Sequence, residues 1–222
     1  WQRKVRDKII KKPTKIKPEK LSKAVAGKQF RGKLLNFQKM GLDFLLKSSG
    51  NALLADDMGL GKTVQTLAYI ASEKQSLPAL VVAPLVTLTN WQREIQRFMK
   101  KKSRNGRIVE NDVPTITSIR SGKRGEISNF DFYLINYELL HKRQDDLCKL
   151  KIRTIVCDEV QHLRSKTTQK YKAVKTLASI KSMKYRVGLS GTPIYNHGSE
   201  IWPIVDILKP GLLGNFKEFC EY

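Results

Sequence analysis

Leu54-Ala55-Asp56-Asp57-Met58-Gly59-Leu60-Gly61-Lys62-Thr63-Val64-Gln65-Thr66 joins a short apolar run to the start of a helical pattern through a glycine-rich turn. A strand that turns through closely spaced glycines into a helix opening Lys-Thr is the setting of a phosphate-binding P-loop. Gly59 and Gly61 permit backbone angles closed to other residues and let main-chain amides approach phosphate oxygens. The amino end of the helix adds partial positive charge. Lys62 can reach the β- and γ-phosphates of a nucleotide, and the Thr63 hydroxyl can take a magnesium position. Asp57, Met58 and Leu60 complete the cradle. The strict pattern places glycine where this chain has Asp56.

About 95 residues onward, Ile155-Val156-Cys157-Asp158-Glu159 is an apolar run ending in two carboxylates. Alone, such a pair reads as a solvated strand end. After a Gly-Lys-Thr loop it completes a site in which Asp158 holds magnesium and Glu159 orients and deprotonates the attacking water. Leu189-Ser190-Gly191-Thr192-Pro193 is a third small, hydroxylic strand end. Alone it is a tight turn. Beside the carboxylates its hydroxyls can sense the nucleotide.

The rest of the chain alternates. Residues 52–55, 80–83, 132–135, 155–157 and 186–189 are short apolar runs of the kind found in parallel strands buried on both faces, and 115–117 is a weaker one. A helix is expected over Leu34–Leu46. Trp91, Ile95 and Phe98, and likewise Tyr171, Val174 and Leu177, recur at helical spacing and are expected to face the core. Strands alternating with helices predict an α/β fold, a mainly parallel sheet with helices on both faces. In such sheets the chemistry gathers at the carboxyl ends of the strands, where all three motifs fall.

Charge identifies a class of partner. The formal net charge is +22. Residues 1–33 hold 13 Lys/Arg against Asp7 and Glu19, so half of that excess lies in the first 33 positions. A strong positive field favours polyanions, above all nucleic-acid phosphates. For residues 1–25 alone, a solvated tail serving solubility or targeting explains the charge equally well. The chain divides into a basic arm or linker (1–30) and a globular lobe (31–222). No apolar run approaches the ~20 residues of a membrane-spanning helix. The start at Trp1 is basic and lacks an apolar stretch, which reads as a fragment without a signal peptide. Cys148, Cys157 and Cys220 lack metal-ligand spacing. Free thiols with Cys157 buried imply a reducing, intracellular setting without distinguishing cytoplasm from nucleus; the expected compartment is cytoplasmic if the source is prokaryotic and nuclear if it is eukaryotic.

Together, residues 56–63, Asp158-Glu159-Val160-Gln161 and the run from Leu189 to Asn196 resemble the Swi/Snf-like ATPases of helicase superfamily two. Trp202 and the run Leu208–Gly214 extend the resemblance from about Leu34 to the end. An acidic residue normally opens the P-loop of that family, so Asp56 fits it. The resemblance implies a RecA-like P-loop NTPase lobe, the first of two, with ATP and Mg2+ as cofactors and duplex DNA and a second RecA-like lobe as partners. By the same resemblance Gln38 recognises adenine, although Leu35-Asn36 stands where the family has Arg-Pro. Pro84, Leu85, Thr87 and Asn90, and a second segment at Asn136 and Tyr137, contact the nucleic-acid backbone. Gln161, Ser190, Gly191 and Thr192 couple hydrolysis to movement. Gln161 replaces the family's usual histidine and cannot ionise as histidine does, and His162 is a surface residue rather than a shifted substitute. The implied function is DNA-dependent ATP hydrolysis driving translocation on duplex and remodelling of protein–DNA complexes. A strand-separating helicase and a non-hydrolysing scaffold are the alternatives. Stabilising arginines belong to the second lobe and are worth roughly 10³–10⁵ in rate, so a lobe alone is expected to be nearly inactive.

Overall fold

The computed structural model describes residues 29–102, 108–109, 112–120, 129–194 and 197–221. The basic arm up to residue 28, and Tyr195 and Asn196, lie outside the described residues. Six strands form one sheet: β1 (Asn51–Leu54), β2 (Ala79–Ala83), β5 (Ile116–Ser118), β6 (Phe132–Asn136), β7 (Thr154–Asp158) and β8 (Tyr185–Leu189). Their order is β1-β8-β7-β2-β6-β5, and every neighbouring pair is parallel. Two-residue strands β3 (Lys101–Lys102) and β4 (Ile108–Val109) pair apart from it. Helices α1 (Asn36–Lys47), α2 (Lys62–Ser72), α3 (Leu88–Phe98), α4 (Tyr137–Leu140), α5 (Gln144–Cys148), α6 (Gln169–Ala178), α7 (Ile201–Leu208) and α8 (Phe216–Cys220) connect and flank the strands.

The strand runs are continuously apolar because both faces of the sheet are covered. All five residues of β2 are buried. Ala79, Val81 and Ala83 join a core with Leu42 and Leu45 of α1, Leu67 and Ile70 of α2, and Trp91 and Ile95 of α3. Leu80 and Val82 point the other way, into a core with Leu140 of α4, Leu147 of α5, Val174 and Leu177 of α6, and Ile204 and Ile207 of α7. That period-two split between two helical layers is what a doubly wound sheet requires. Gly188 has its place for the same reason. A Cβ there would stand 2.9 Å from Leu208 Cδ1, so glycine lets α7 close onto β8.

The expected helical stripes face the core: Trp91 and Ile95 are buried and Phe98 packs against them, and Tyr171, Val174 and Leu177 are buried. Helix α1 begins two residues later than expected. The Gln38 carboxamide oxygen accepts a 3.0 Å bond from the Leu35 amide and caps it. Trp202 Nε1 donates to the Gly214 carbonyl at 3.1 Å, tying α7 to the loop before α8. Cys157 is buried with its thiol pushed up to about 12, chiefly by desolvation, so it is an inert core group. Among the described residues, no helix is long and apolar enough to cross a membrane.

Candidate active site

The P-loop leaves the edge strand β1 and enters α2. Gly61 is the residue before the helix, with φ 73° and ψ 40°, and no side chain caps it. The orphan amides of the first turn are therefore open to an anion. A Cβ on Gly61 would also lie 2.6 Å from Gln38 Nε2. Gly61→Ala is accordingly expected to weaken nucleotide binding by about tenfold or more. Left-handed strain alone costs roughly 1–2 kcal/mol. Fluorescent ADP titration checks this, and an affinity equal to that of the parent would contradict it.

Side chains reach into the loop from behind. Lys62 Nζ donates to the carbonyls of Asp56 (2.8 Å) and Asp57 (3.0 Å), which holds the ammonium at the loop. Gln65 is fully buried, and its Nε2 donates to Asp56 Oδ2 (3.0 Å) and the Leu60 carbonyl (3.2 Å). Asp56 is thus anchored inside the loop, which accounts physically for an acidic residue in place of glycine. A Cβ at Gly41 would collide with Gln65 Oε1, so a glycine inside α1 makes room for this brace. Gln38 Nε2 donates weakly to the Leu60 carbonyl at 3.4 Å, placing Gln38 directly beside the loop. Asp57, Met58 and Gly59 are exposed, and Thr63 is half-buried in the first turn of α2. Sequence reasoning passed over Gln65. The signal was a carboxamide on a stretch, Val64 to Ala71, that is otherwise apolar apart from the hydroxyls of Thr66 and Tyr69.

Asp158 ends β7 and Ser190 follows β8, the strand between β7 and β1. This order brings both motifs to the P-loop. A Cβ on Gly191 would lie 2.9 Å from Met58 Cγ and 3.9 Å from the Asp56 carbonyl oxygen. Burial pushes the Asp158 carboxyl above the usual carboxylate range. The Trp91 hydrogen bond opposes that, the Glu159 charge adds to it, and the Glu159 amide and Lys62 act against it. Trp91 Nε1 donates to Asp158 Oδ2 at 2.8 Å, and the Glu159 amide donates to Oδ1 at 3.1 Å. Trp91 is therefore a core residue that also holds a site carboxylate.

Glu159 sits in the left-handed region at φ 50° and ψ 55°. That costs roughly 1–2 kcal/mol for a residue with a side chain, and such strain clusters at functional sites. From Glu159 a hydrogen-bonded line runs to β8. Gln161 Nε2 donates to Glu159 Oε2 (2.7 Å), and Ser190 Oγ donates to Gln161 Oε1 (2.8 Å). Ser190 Oγ in turn accepts from the Thr192 amide (2.9 Å). Gln161 fills this place because its carboxamide donates at one end and accepts at the other without titrating. His162 is exposed and lies against Tyr137, with ring centroids 5.1 Å apart and planes tilted by 32°, outside that line.

The donor set suits magnesium. Asp158 and Thr63 offer hard oxygens, and Asp158 is a half-buried carboxyl whose ionised form a cation would stabilise. Among the described residues no three His, Cys, Asp or Glu side chains gather into an all-protein metal site. Magnesium seldom uses such a cage, binding instead through one or two carboxylates, waters and substrate phosphates.

Of the expected nucleic-acid contacts, Leu85 and Asn90 are exposed, and Pro84 and Thr87 are half-buried. Thr87 Oγ1 donates to the Pro84 carbonyl at 2.9 Å and shapes the turn into α3. Asn136 Oδ1 accepts from the Leu139 amide and caps α4. The expectation for Tyr137 is corrected. Its ring is 1% exposed and its hydroxyl donates to the Asp158 carbonyl at 2.8 Å, so the side chain faces the site and not the surface.

Residues 37–222 match the SNF2-related domain family. The chain is 34% identical over 212 residues to YwqA of Bacillus subtilis, covering 90% of this chain and 22% of that protein. It is 34% identical over 200 residues to the chromatin structure-remodeling complex subunit snf21 of Schizosaccharomyces pombe, covering 86% and 16%. It therefore spans about a fifth of these relatives' length. The Sulfolobus solfataricus SWI2/SNF2 ATPase core in complex with dsDNA superposes with a TM-score of 0.70 at 32% identity, covering 87% of this chain and 39% of that one. The parallel sheet with helices on both faces is thus that of a RecA-like lobe, and the chain belongs to the SNF2-related family.

Proposed function

We propose that this chain is the ATP- and magnesium-binding lobe of a DNA-dependent ATPase that translocates on duplex DNA and remodels protein–DNA complexes. The carrying observation is the convergence of Lys62 and the α2 amino end with Asp158, Glu159 and the Gln161–Ser190 line at the carboxyl ends of β1, β8 and β7. The α2 amides and Lys62 bind and orient the phosphates, and Gln38 lies where a base bound beside the loop would meet it. Thr63 and Asp158 would hold magnesium, which when bound neutralises charge on the phosphate oxygens. Glu159 takes a proton from the attacking water, its carboxylate oriented by Gln161. Ser190 and Thr192 connect that base to β8, next to the P-loop. The arginines that stabilise the transferring phosphate are assigned to a second RecA-like lobe. A strand-separating helicase would share the nucleotide site, and a scaffold would need none of Lys62, Thr63, Asp158 and Glu159.

On this reading the chain binds duplex DNA weakly, without sequence preference and with steep salt dependence. Non-specific affinities lie at roughly 10⁻⁴–10⁻⁶ M near physiological salt, and one lobe offers half the track. Deleting residues 1–30 is expected to reduce binding and leave a salt-sensitive remainder. Titrating labelled duplex at several salt concentrations checks this. A truncated lobe that binds nothing at low salt would show that the arm alone carries the affinity.

A further inference from the structure

Two of the segments proposed to meet the DNA backbone are each followed by an aromatic residue that turns inward onto the same carboxylate residue. Asn90 is exposed, and the next residue, Trp91, is 1% exposed with its indole N–H on Asp158 Oδ2. Asn136 is half-buried at the end of β6, and the next residue, Tyr137, is equally buried with its hydroxyl on the Asp158 carbonyl. The strands behind them, β6, β2 and β7, are consecutive in the sheet, so both aromatics reach Asp158 across adjacent strand ends.

From this we infer that Trp91 and Tyr137 are positioning residues linking the duplex-facing segments to the magnesium carboxylate. The inference rests on the proposed nucleotide site and adds the residues through which it is joined to DNA. Trp91 fixes Oδ2 and the Glu159 amide fixes Oδ1, and the second lone pair of each oxygen is left for the metal. Tyr137 fixes the main chain at the same residue. Any shift of α3 at Asn90, or of the junction between β6 and α4 at Asn136, on meeting phosphate therefore reaches Asp158 through one rigid ring. By linkage, metal-bound nucleotide alters duplex affinity to the same degree that duplex alters affinity for metal-bound nucleotide.

The test uses the 222-residue chain with fluorescent ADP, titrated with magnesium and separately in EDTA. Trp91→Phe removes the N–H, and Tyr137→Phe removes the hydroxyl at almost unchanged volume. The magnesium concentration at half-saturation is expected to rise about tenfold in Trp91→Phe and about threefold in Tyr137→Phe. Metal-free ADP affinity stays at the parental value in both. The change in labelled-duplex affinity on adding Mg·ADP shrinks in both. A merely structural role would weaken metal-free and metal-bound binding together. If the smaller ring prevents Trp91→Phe from folding, Tyr137→Phe decides alone. Parental magnesium dependence in folded variants would overturn the link and leave the site standing. A parent chain with no magnesium-dependent ADP binding would overturn both.

Discussion

In a two-lobed protein carrying this chain, Glu159→Gln is expected to keep ATP bound and to slow hydrolysis by about 10²–10⁴-fold, the range that a positioned general base contributes. The substitution is close to isosteric and leaves the strained backbone at φ 50° occupied by a side chain of the same shape. Its carboxamide oxygen still accepts from Gln161 Nε2, which now donates to Glu159 Oε2 at 2.7 Å. Geometry is kept and basicity is lost, so any rate change reports the chemistry of the base. Single-turnover hydrolysis with nucleotide binding measured in parallel checks this. A variant hydrolysing ATP at the parental rate would remove Glu159 from the role. Asp158→Asn is the companion, expected to weaken the magnesium dependence instead.

Lys62→Ala is expected to lower nucleotide affinity of the chain itself by about 10- to 100-fold or abolish it. A hydrogen bond to a charged group is worth roughly 1.5–3 kcal/mol. Every 1.4 kcal/mol is about a factor of ten. The ammonium is the side-chain cation that the P-loop supplies from its own helix, and two loop carbonyls hold it there. Its side chain is half-buried and lies outside both hydrophobic cores, so the variant should unfold near the parental temperature. Calorimetric titration of ADP with magnesium gives the answer. Undiminished affinity in the folded variant would overturn the P-loop assignment.

The architecture was legible because its strands are buried on two faces. A run such as Leu80-Val81-Val82-Ala83 needs apolar side chains at every position, and its shortness between Pro78 and Pro84 sets it apart from a buried helix segment such as Leu67–Ala71. Even the weak run at 115–117 has a strand at Ile116–Ser118. Helix boundaries were less legible, because the start of α1 depends on a cap that Gln38 supplies from inside the helix. Side-chain direction was the least legible. The family resemblance made Asn136-Tyr137 a surface contact, yet the short helix α4 turns the ring toward Asp158. Trp91 read as core and is core, but periodicity is blind to where an indole N–H points. Gln65 went unnoticed because its partners, Asp56 and the Leu60 carbonyl, meet it only once the loop is folded.

The most direct test of the central proposal is ATP hydrolysis by a two-lobed protein carrying this chain, measured with no nucleic acid, duplex DNA, single-stranded DNA and duplex RNA. The expected result is slow basal turnover, strong stimulation by duplex DNA irrespective of its sequence, loss of that stimulation at high salt, and no separation of the strands. Stimulation confined to single strands or RNA, or turnover indifferent to all four conditions, would contradict it.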